Sequence, residues 1–238
     1  MKAGVTVGIV TANINSDHAK RCINSVKQFT EYDDLVVLDN NRRGDFNHAE
    51  EMNKIIRIAD TRYVALLDDD VYVENRWVEE MLKVMTDDVA LVSPLHKNGK
   101  GELSYAGIDF EDNFSGQHRH RMNIGPRPCY PTPTVCSACL LIDSAKIEYL
   151  FFDEFFPKYF NDIDFGLRVW CEGFRVVMST AVEVVHLGGG TLPQGGADSS
   201  FHYGKSMEDF RQKWQGTMWE KKFRASVEQA QLGDKLNG

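Results

Sequence analysis

The sequence predicts an α/β protein, a doubly wound and mostly parallel sheet flanked by helices. Three observations carry this. Short β-branched or aliphatic runs at residues 5–10, 35–38 and 63–67 alternate with stretches of helical apolar spacing. The run Tyr63, Val64, Ala65, Leu66, Leu67 is apolar throughout, as suits a strand covered on both faces. The second and third runs end in Asp39 and in Asp68-Asp69-Asp70, at the strand ends where ligands gather in open α/β sheets.

In chain order, residues 5–10 form a first strand, and the loop 11–16 leads into a helix over 17–29 with Ala19, Cys22, Ile23, Val26 and Phe29 on one stripe. The second strand ends in Asp39, and Asn40-Asn41-Arg42-Arg43-Gly44-Asp45 turns into a helix over about 47–59. After the acidic triplet comes a helix carrying Trp77, Met81, Leu82 and Met85, then a strand over 89–93 stopped by Pro94. Residues 96–133 are punctuated by glycine and proline, which predicts an irregular or β-rich insertion, a loop type that commonly binds. We assign it to acceptor recognition. Within it, His118-Arg119-His120-Arg121 reads as a solvated face or a phosphate or metal cluster.

A strand resumes over 135–142, followed by a short helix over 144–149. Ile163, Leu167 and Trp170 share a helical stripe closed by Gly173, which puts Asn161, Asp162 and Asp164 in that helix's first turn. Strands over 175–178 and 183–185 follow, the second ending in His186 before Gly188-Gly189-Gly190-Thr191. Residues 192–202, rich in Gly and Ser, read as a lid. Ser206-Met207-Glu208-Asp209 has capping-box spacing and opens an amphipathic C-terminal helix bearing Met207, Phe210, Trp214, Met218, Phe223 and Val227. Its stripe packs on the main domain or lies on a membrane surface. The domain reading is therefore 1–204, with halves 1–95 for nucleotide and 96–204 for acceptor and catalysis, and a helical appendage over 205–238.

Composition bounds the function. The chain has 238 residues, 42% of them hydrophobic and 26% charged, and a net charge of −8. That balance is globular, and it argues against a nucleic-acid partner, which needs a basic face. No apolar run approaches the about 20 residues of a membrane span. Polar Thr11, Asn13, Asn15 and Asp17 arrive before a signal-peptide core could form. Five cysteines are an odd set, which suits reduced thiols and a cytoplasmic setting, peripheral at the membrane if the last helix binds there. Cys136 and Cys139 lack a second ligand pair for zinc and read as buried strand residues.

In extended chain, side chains alternate, so Asp68 and Asp70 point one way and Asp69 another. Two carboxylates aimed together call for a cation, and Mg²⁺ or Mn²⁺ held this way also takes phosphate oxygens. A solvated acidic turn is the competing reading. Asp162 or Asn161 likewise serves as an N-cap, or Asp162 as a base in a cleft walled by Phe155, Phe156, Tyr159 and Phe160. His186 is a packed histidine or completes the metal site.

The ordered set resembles a family 2 glycosyltransferase of the GT-A fold: Thr11-Ala12-Asn13, Asp39, Phe46-Asn47 with Asn53, Asp68-Asp69-Asp70, Ser137-Ala138-Cys139-Leu140-Leu141-Ile142, Asn161-Asp162-Ile163-Asp164, and His186 with its glycines. The resemblance implies a GT-A-type (Rossmann-like) fold. It also implies an inverting hexosyltransferase that moves sugar from a nucleoside diphosphate donor, a UDP-sugar by preference, to a hydroxyl of a glycan or lipid-linked acceptor in polysaccharide or glycoconjugate synthesis. Thr11, Asn13, Asp39, Asn53, Asp68 and Asp69 would contact the donor, Asp68, Asp70 and His186 would hold Mn²⁺ or Mg²⁺, and Asp162 would be the general base with Asp164 its rival. Arg42 or Arg43 stands as an alternative diphosphate contact, and a homo-oligomer is compatible. The competing functions are a sugar nucleotidyltransferase, against which stands the glycine-free loop after the first strand, and a non-catalytic nucleotide- or sugar-binding module.

Overall fold

Alternation along the strands sorts the core into two layers. In β1 (Val5–Thr11), Val5, Val7 and Ile9 face one cluster and Val10 the other. In β3 (Tyr63–Asp68), Tyr63, Ala65 and Leu67 join the first cluster while Val64 and Leu66 join the second. Such strands, buried on both faces, need a cover on each side. The computed structural model describes residues 4–40, 46–110, 116–118, 127–188 and 197–236, and supplies both covers. On the first face lie α1 (Asp17–Phe29) and α3 (Trp77–Leu82), contributing Cys22, Val26, Trp77, Val78 and Met81. On the second lie α2 (His48–Ile58), α4 (Asn161–Cys171), α5 (Ala197–Trp214) and α6 (Met218–Leu236), contributing Met52, Ile55, Phe165, Trp170, Phe210 and Phe223.

Among the described residues, β1 is flanked in parallel by β2 (Asp34–Asp39) and β3. β10 (Cys139–Asp143) runs antiparallel between β3 and β5 (Val89–Lys97), and β11 (Arg175–His186) runs parallel to β5. β4 (Val71–Tyr72) closes the order β2-β1-β3-β10-β5-β11-β4. Two further strands join this sheet, β6 (Leu103–Tyr105) on β5 and β9 (Cys129–Pro131) on β11. The insertion also makes a separate hairpin of β7 (Ile108–Phe110) and β8 (Gly116–His118).

Several local expectations are corrected. Pro94 does not end its strand: β5 continues to Lys97, because the missing N–H falls beside a bulge of β11 between Ser179 and Glu183. The strands expected at 175–178 and 183–185 are one strand bent at that bulge. Residues 144–149 form turns, not a helix, closed by bonds from Lys146 N to Asp143 O and from Ile147 N to Ser144 O. The C-terminal helix is two helices. α5 begins at Ala197, so residues 197–202 are helical and not lid, and Ser206 lies inside the helix with Lys205 and Asp209 paired across it. The cap that forms is at Thr217, whose Oγ1 accepts the Glu220 N–H, while Glu220 accepts the Gly216 N–H. Phe210, Trp214, Phe223 and Val227 are buried against the main domain, whereas Met218 is exposed.

Candidate active site

β3 ends at Asp68, and Asp69 and Asp70 form the turn into β4. Asp68 continues the Val64/Leu66 face, beneath α2 and α4, and Asp69 continues the Ala65/Leu67 face shared with Thr11 of β1. Accordingly Thr11 Oγ1 donates to Asp69 Oδ2 at 2.5 Å, and Asp69 is buried. β4 then pairs with the end of β11, with His186 opposite Val71 and the Leu187 N–H on the Asp70 carbonyl. This delivers His186 beside Asp70, Nε2 to Oδ1 at 3.4 Å. Ligand atoms of Asp68, Asp70 and His186 lie within 4.8 Å of one another. Burial pulls the His186 pKa down, but the hydrogen bond and charge of Asp70 outweigh it and the net shift is upward.

The other wall is the start of α4. Its N-cap is Phe160, which has no capping side chain and a left-handed φ of 68°, a conformation costing a bulky residue about 1–3 kcal/mol. The ring is held by Phe210 and Tyr203 of α5 at centroid distances of 5.2 and 5.3 Å. Below it, Thr134 Oγ1 donates to the Asp162 and Ile163 carbonyls, and a Cβ on Gly166 would stand 2.3 Å from that hydroxyl oxygen. Only glycine admits so close an approach. Asp162 is half-buried, its Oδ1 accepting the Ile163 N–H at 2.8 Å and its Oδ2 the Ser137 N–H at 3.2 Å. Burial raises its pKa above the usual carboxylate value, against the pull of these amides and of His48 and His118.

Asp164 is placed elsewhere. Two residues along a helix is about 200° of rotation, and Asp164 is fully buried with Oδ2 on Arg168 Nε at 2.7 Å and Oδ1 on Trp214 Nε1 at 2.9 Å and Lys213 Nζ at 2.7 Å. It ties α4 to α5. Asn53 is also occupied in the interior: its amide donates to Phe152 O and Glu154 Oε1, and its Oδ1 accepts the Phe152 N–H. Asn13 sits in the loop after β1, its N–H on Thr11 Oγ1 and its Oδ1 on the Asn15 N–H. Asp39 is exposed at the end of β2, 3.4 Å from the Ile14 N–H. Arg42, Arg43, the tract 119–121 and residues 189–196 lie outside the described residues.

Three further histidines border the site, His48 and His96, which the sequence reading did not single out, and His118, which it read as part of a solvated face or a phosphate or metal cluster. His48, the first residue of α2, bonds through Nε2 to Asp68 Oδ1 at 2.8 Å. A helix starting at the carboxyl edge of the sheet borders the cleft, which was the available signal. His96 is fully buried, its ring edge-on to His186 at 5.4 Å, with no hydrogen-bond partner on either ring nitrogen among the described residues. Burial pushes its pKa well down, so it is neutral. His118 is exposed on β8, 5.3 Å from Tyr105. Cys136 and Cys139 are free, and burial pushes both thiols well up, away from the thiolate that a zinc site needs.

Residues 9–151 match the family described as glycosyl transferase family 2. No curated protein matches the sequence. Among solved structures, GalNAc-T7 with UDP, GalNAc and Mn²⁺ superposes with a TM-score of 0.66 at 14% identity, over 97% of this chain and 51% of that one. Residues 1–349 of S. aureus TarS superpose with a TM-score of 0.56 at 11% identity, over 77% of this chain and 60% of that one. At such identities the likeness is one of fold, and the chain spans about half the length of GalNAc-T7.

Proposed function

From the premise that the chain belongs to glycosyl transferase family 2, and so is a glycosyltransferase, we propose that it is a metal-dependent, inverting enzyme. The donor would be a UDP-sugar and the acceptor a hydroxyl of a glycan or lipid-linked glycan. The observation that carries this is the convergence of Asp68, Asp70 and His186 within 4.8 Å, with Asp162 near enough that its charge bears on His48, the partner of Asp68. Two carboxylates and one imidazole are a hard, oxygen-rich donor set that fits Mn²⁺ or Mg²⁺ better than zinc. GalNAc-T7, similar in fold, is described with UDP and Mn²⁺.

When bound, the cation would neutralise charge on the departing nucleoside diphosphate. The chain's own residues do the rest. Asp162 accepts the proton of the acceptor hydroxyl as that oxygen bonds to the anomeric carbon, and the bond from that carbon to the diphosphate oxygen breaks with its electron pair leaving on the diphosphate. Attack opposite the leaving group inverts the centre. The Ser137 and Ile163 amides keep the carboxylate oriented, and its raised pKa strengthens it as a base. Thr11, Asn13 and Asp39, at the ends of β1 and β2, would line the nucleotide side, with Asp69 anchored by Thr11. The insertion 96–133 would serve the acceptor, a role supported by His118, whose charge bears on Asp162. Among the described residues no helix is long and apolar enough to cross a membrane.

Thermal stabilisation by UDP, GDP and dTDP with and without Mn²⁺, followed by donor hydrolysis, tests the proposal. Manganese-dependent stabilisation by UDP is expected, and its absence with every nucleotide would refute the metal-diphosphate assignment.

A further inference from the structure

Asp68 is half-exposed and would, alone, rotate freely about its side-chain bonds. It does not stand alone. His48 Nε2 sits 2.8 Å from its Oδ1, and His48 Nδ1 sits 3.5 Å from Asn161 Nδ2. The Asn161 amide is oriented in turn, because its Nδ2 also lies 3.1 Å from the Phe156 carbonyl, an acceptor that only the NH₂ end can satisfy. An NH₂ group facing His48 Nδ1 makes that nitrogen the acceptor, which leaves the ring proton on Nε2, pointed at Asp68. The bonds thus run in one direction, from Asn161 to His48 to Asp68. The chain starts on the first residue of α4, next to Asp162, crosses the first residue of α2, and ends on a carboxylate of the candidate metal triad.

Resting on the metal reading above, we propose that His48 is a positioning residue of the metal centre. Its Nε2–H fixes Asp68 Oδ1 so that the other carboxylate oxygen is presented to the cation, and Asn161 sets the tautomer that makes this possible. Groups hydrogen-bonded behind metal ligands behave this way generally, and their loss weakens metal binding by about 10- to 100-fold. The arrangement also links the two halves of the reaction mechanically. A shift of α4 that moves Asp162 moves Asn161, and with it the donor on His48.

The test is Mn²⁺ affinity of the full chain, read from the free-ion resonance in electron paramagnetic titration, for wild type and three variants. His48→Phe keeps the ring volume and His48→Ala removes it, and neither retains a donor. His48→Gln retains one. The expected result is Mn²⁺ binding weakened by about 10- to 100-fold in the first two, recovery toward wild type in His48→Gln, and metal-free UDP binding unchanged in all. Use of both Phe and Ala keeps the question answerable if one fails to fold. Wild-type Mn²⁺ affinity in a folded His48→Phe or His48→Ala, or no recovery in His48→Gln, would overturn the positioning role and leave the metal reading standing. A wild-type chain that binds no Mn²⁺ would overturn both.

Discussion

Two regions of the molecule carry the same local pattern, an acid, one residue, and a second acid, and they do opposite things with it. At the tip of β3, Asp68 and Asp70 converge on His186 while the intervening Asp69 is turned to Thr11. At the start of α4, Asp162 is half-buried near His48 while Asp164 is buried against Arg168, Lys213 and Trp214. The difference is the backbone between the acids. Asp68 ends β3 and Asp69-Asp70 turn the chain into β4, which brings Asp70 back beside Asp68 and His186, whereas a helix sends residues two apart to nearly opposite sides. Paired acids two residues apart therefore come together across this turn and part on the helix.

Four substitutions and one titration can break or sharpen that contrast. The largest effect is expected from Asp162→Asn, which should lower transfer by about 10²- to 10⁴-fold with donor binding retained in calorimetry. Normal turnover would remove Asp162 from the base role. Asp70→Ala should abolish manganese-dependent nucleotide binding, a larger loss than the about 10- to 100-fold set by an outer partner. Retained binding would show that the strand acids do not act as a pair. Asp164→Asn should act on stability instead, toward the low end of the about 3–5 kcal/mol for breaking a buried pair, since Arg168 and Lys213 keep part of their exposure. Urea titration measures it, and a stable but inactive variant would contradict the division of roles. Thr11→Val removes a hydrogen bond to the buried Asp69 carboxylate, for about 1.5–3 kcal/mol in the same titration.

The smallest effect is a pH profile. Because burial raises the folded pKa of Asp162, transfer should fall as pH drops through that raised value, at higher pH than an exposed carboxylate would give. The same shift has the opposite sign for stability. Between the unfolded pKa and the higher folded one the native state holds the extra proton, so stability from this group declines as pH rises through the window. Asp162→Asn should flatten both responses, and an unchanged acid limb would reassign it.

The parallel half was legible because its signals are local. α1 spans the predicted 17–29, and β1, β2 and β3 lie where continuous apolar runs placed them. What escaped was set by tertiary contact. Pro94 is tolerated because β11 bulges beside it, and β11 can bend into one long strand because β4 waits at its end. Asn53 looked like a ligand residue, yet its partners are some hundred residues away at Phe152 and Glu154. Conversely His48, only five positions earlier, lies at the site because α2 opens at the sheet's carboxyl edge. The break at Gly216 is marked by Thr217-Met218-Trp219-Glu220, a capping pattern of the same spacing as that at Ser206.

The tie between Asp164 and the Lys213-Trp214 pair has a consequence for the order in which the protein is made. The helix that bears Asp162 and Asp164 emerges from the ribosome some fifty residues ahead of its clasp, the separation between Asp164 and Trp214. At about 5–20 residues per second, that leaves roughly 3–10 s in which the carboxylate at position 164 has only Arg168 beside it and Phe160 has no α5 ring to hold its left-handed backbone. The start of α4 would thus set only once α5 has emerged. A nascent chain stalled before residue 205 should carry a formed parallel sheet and an unanchored start of α4.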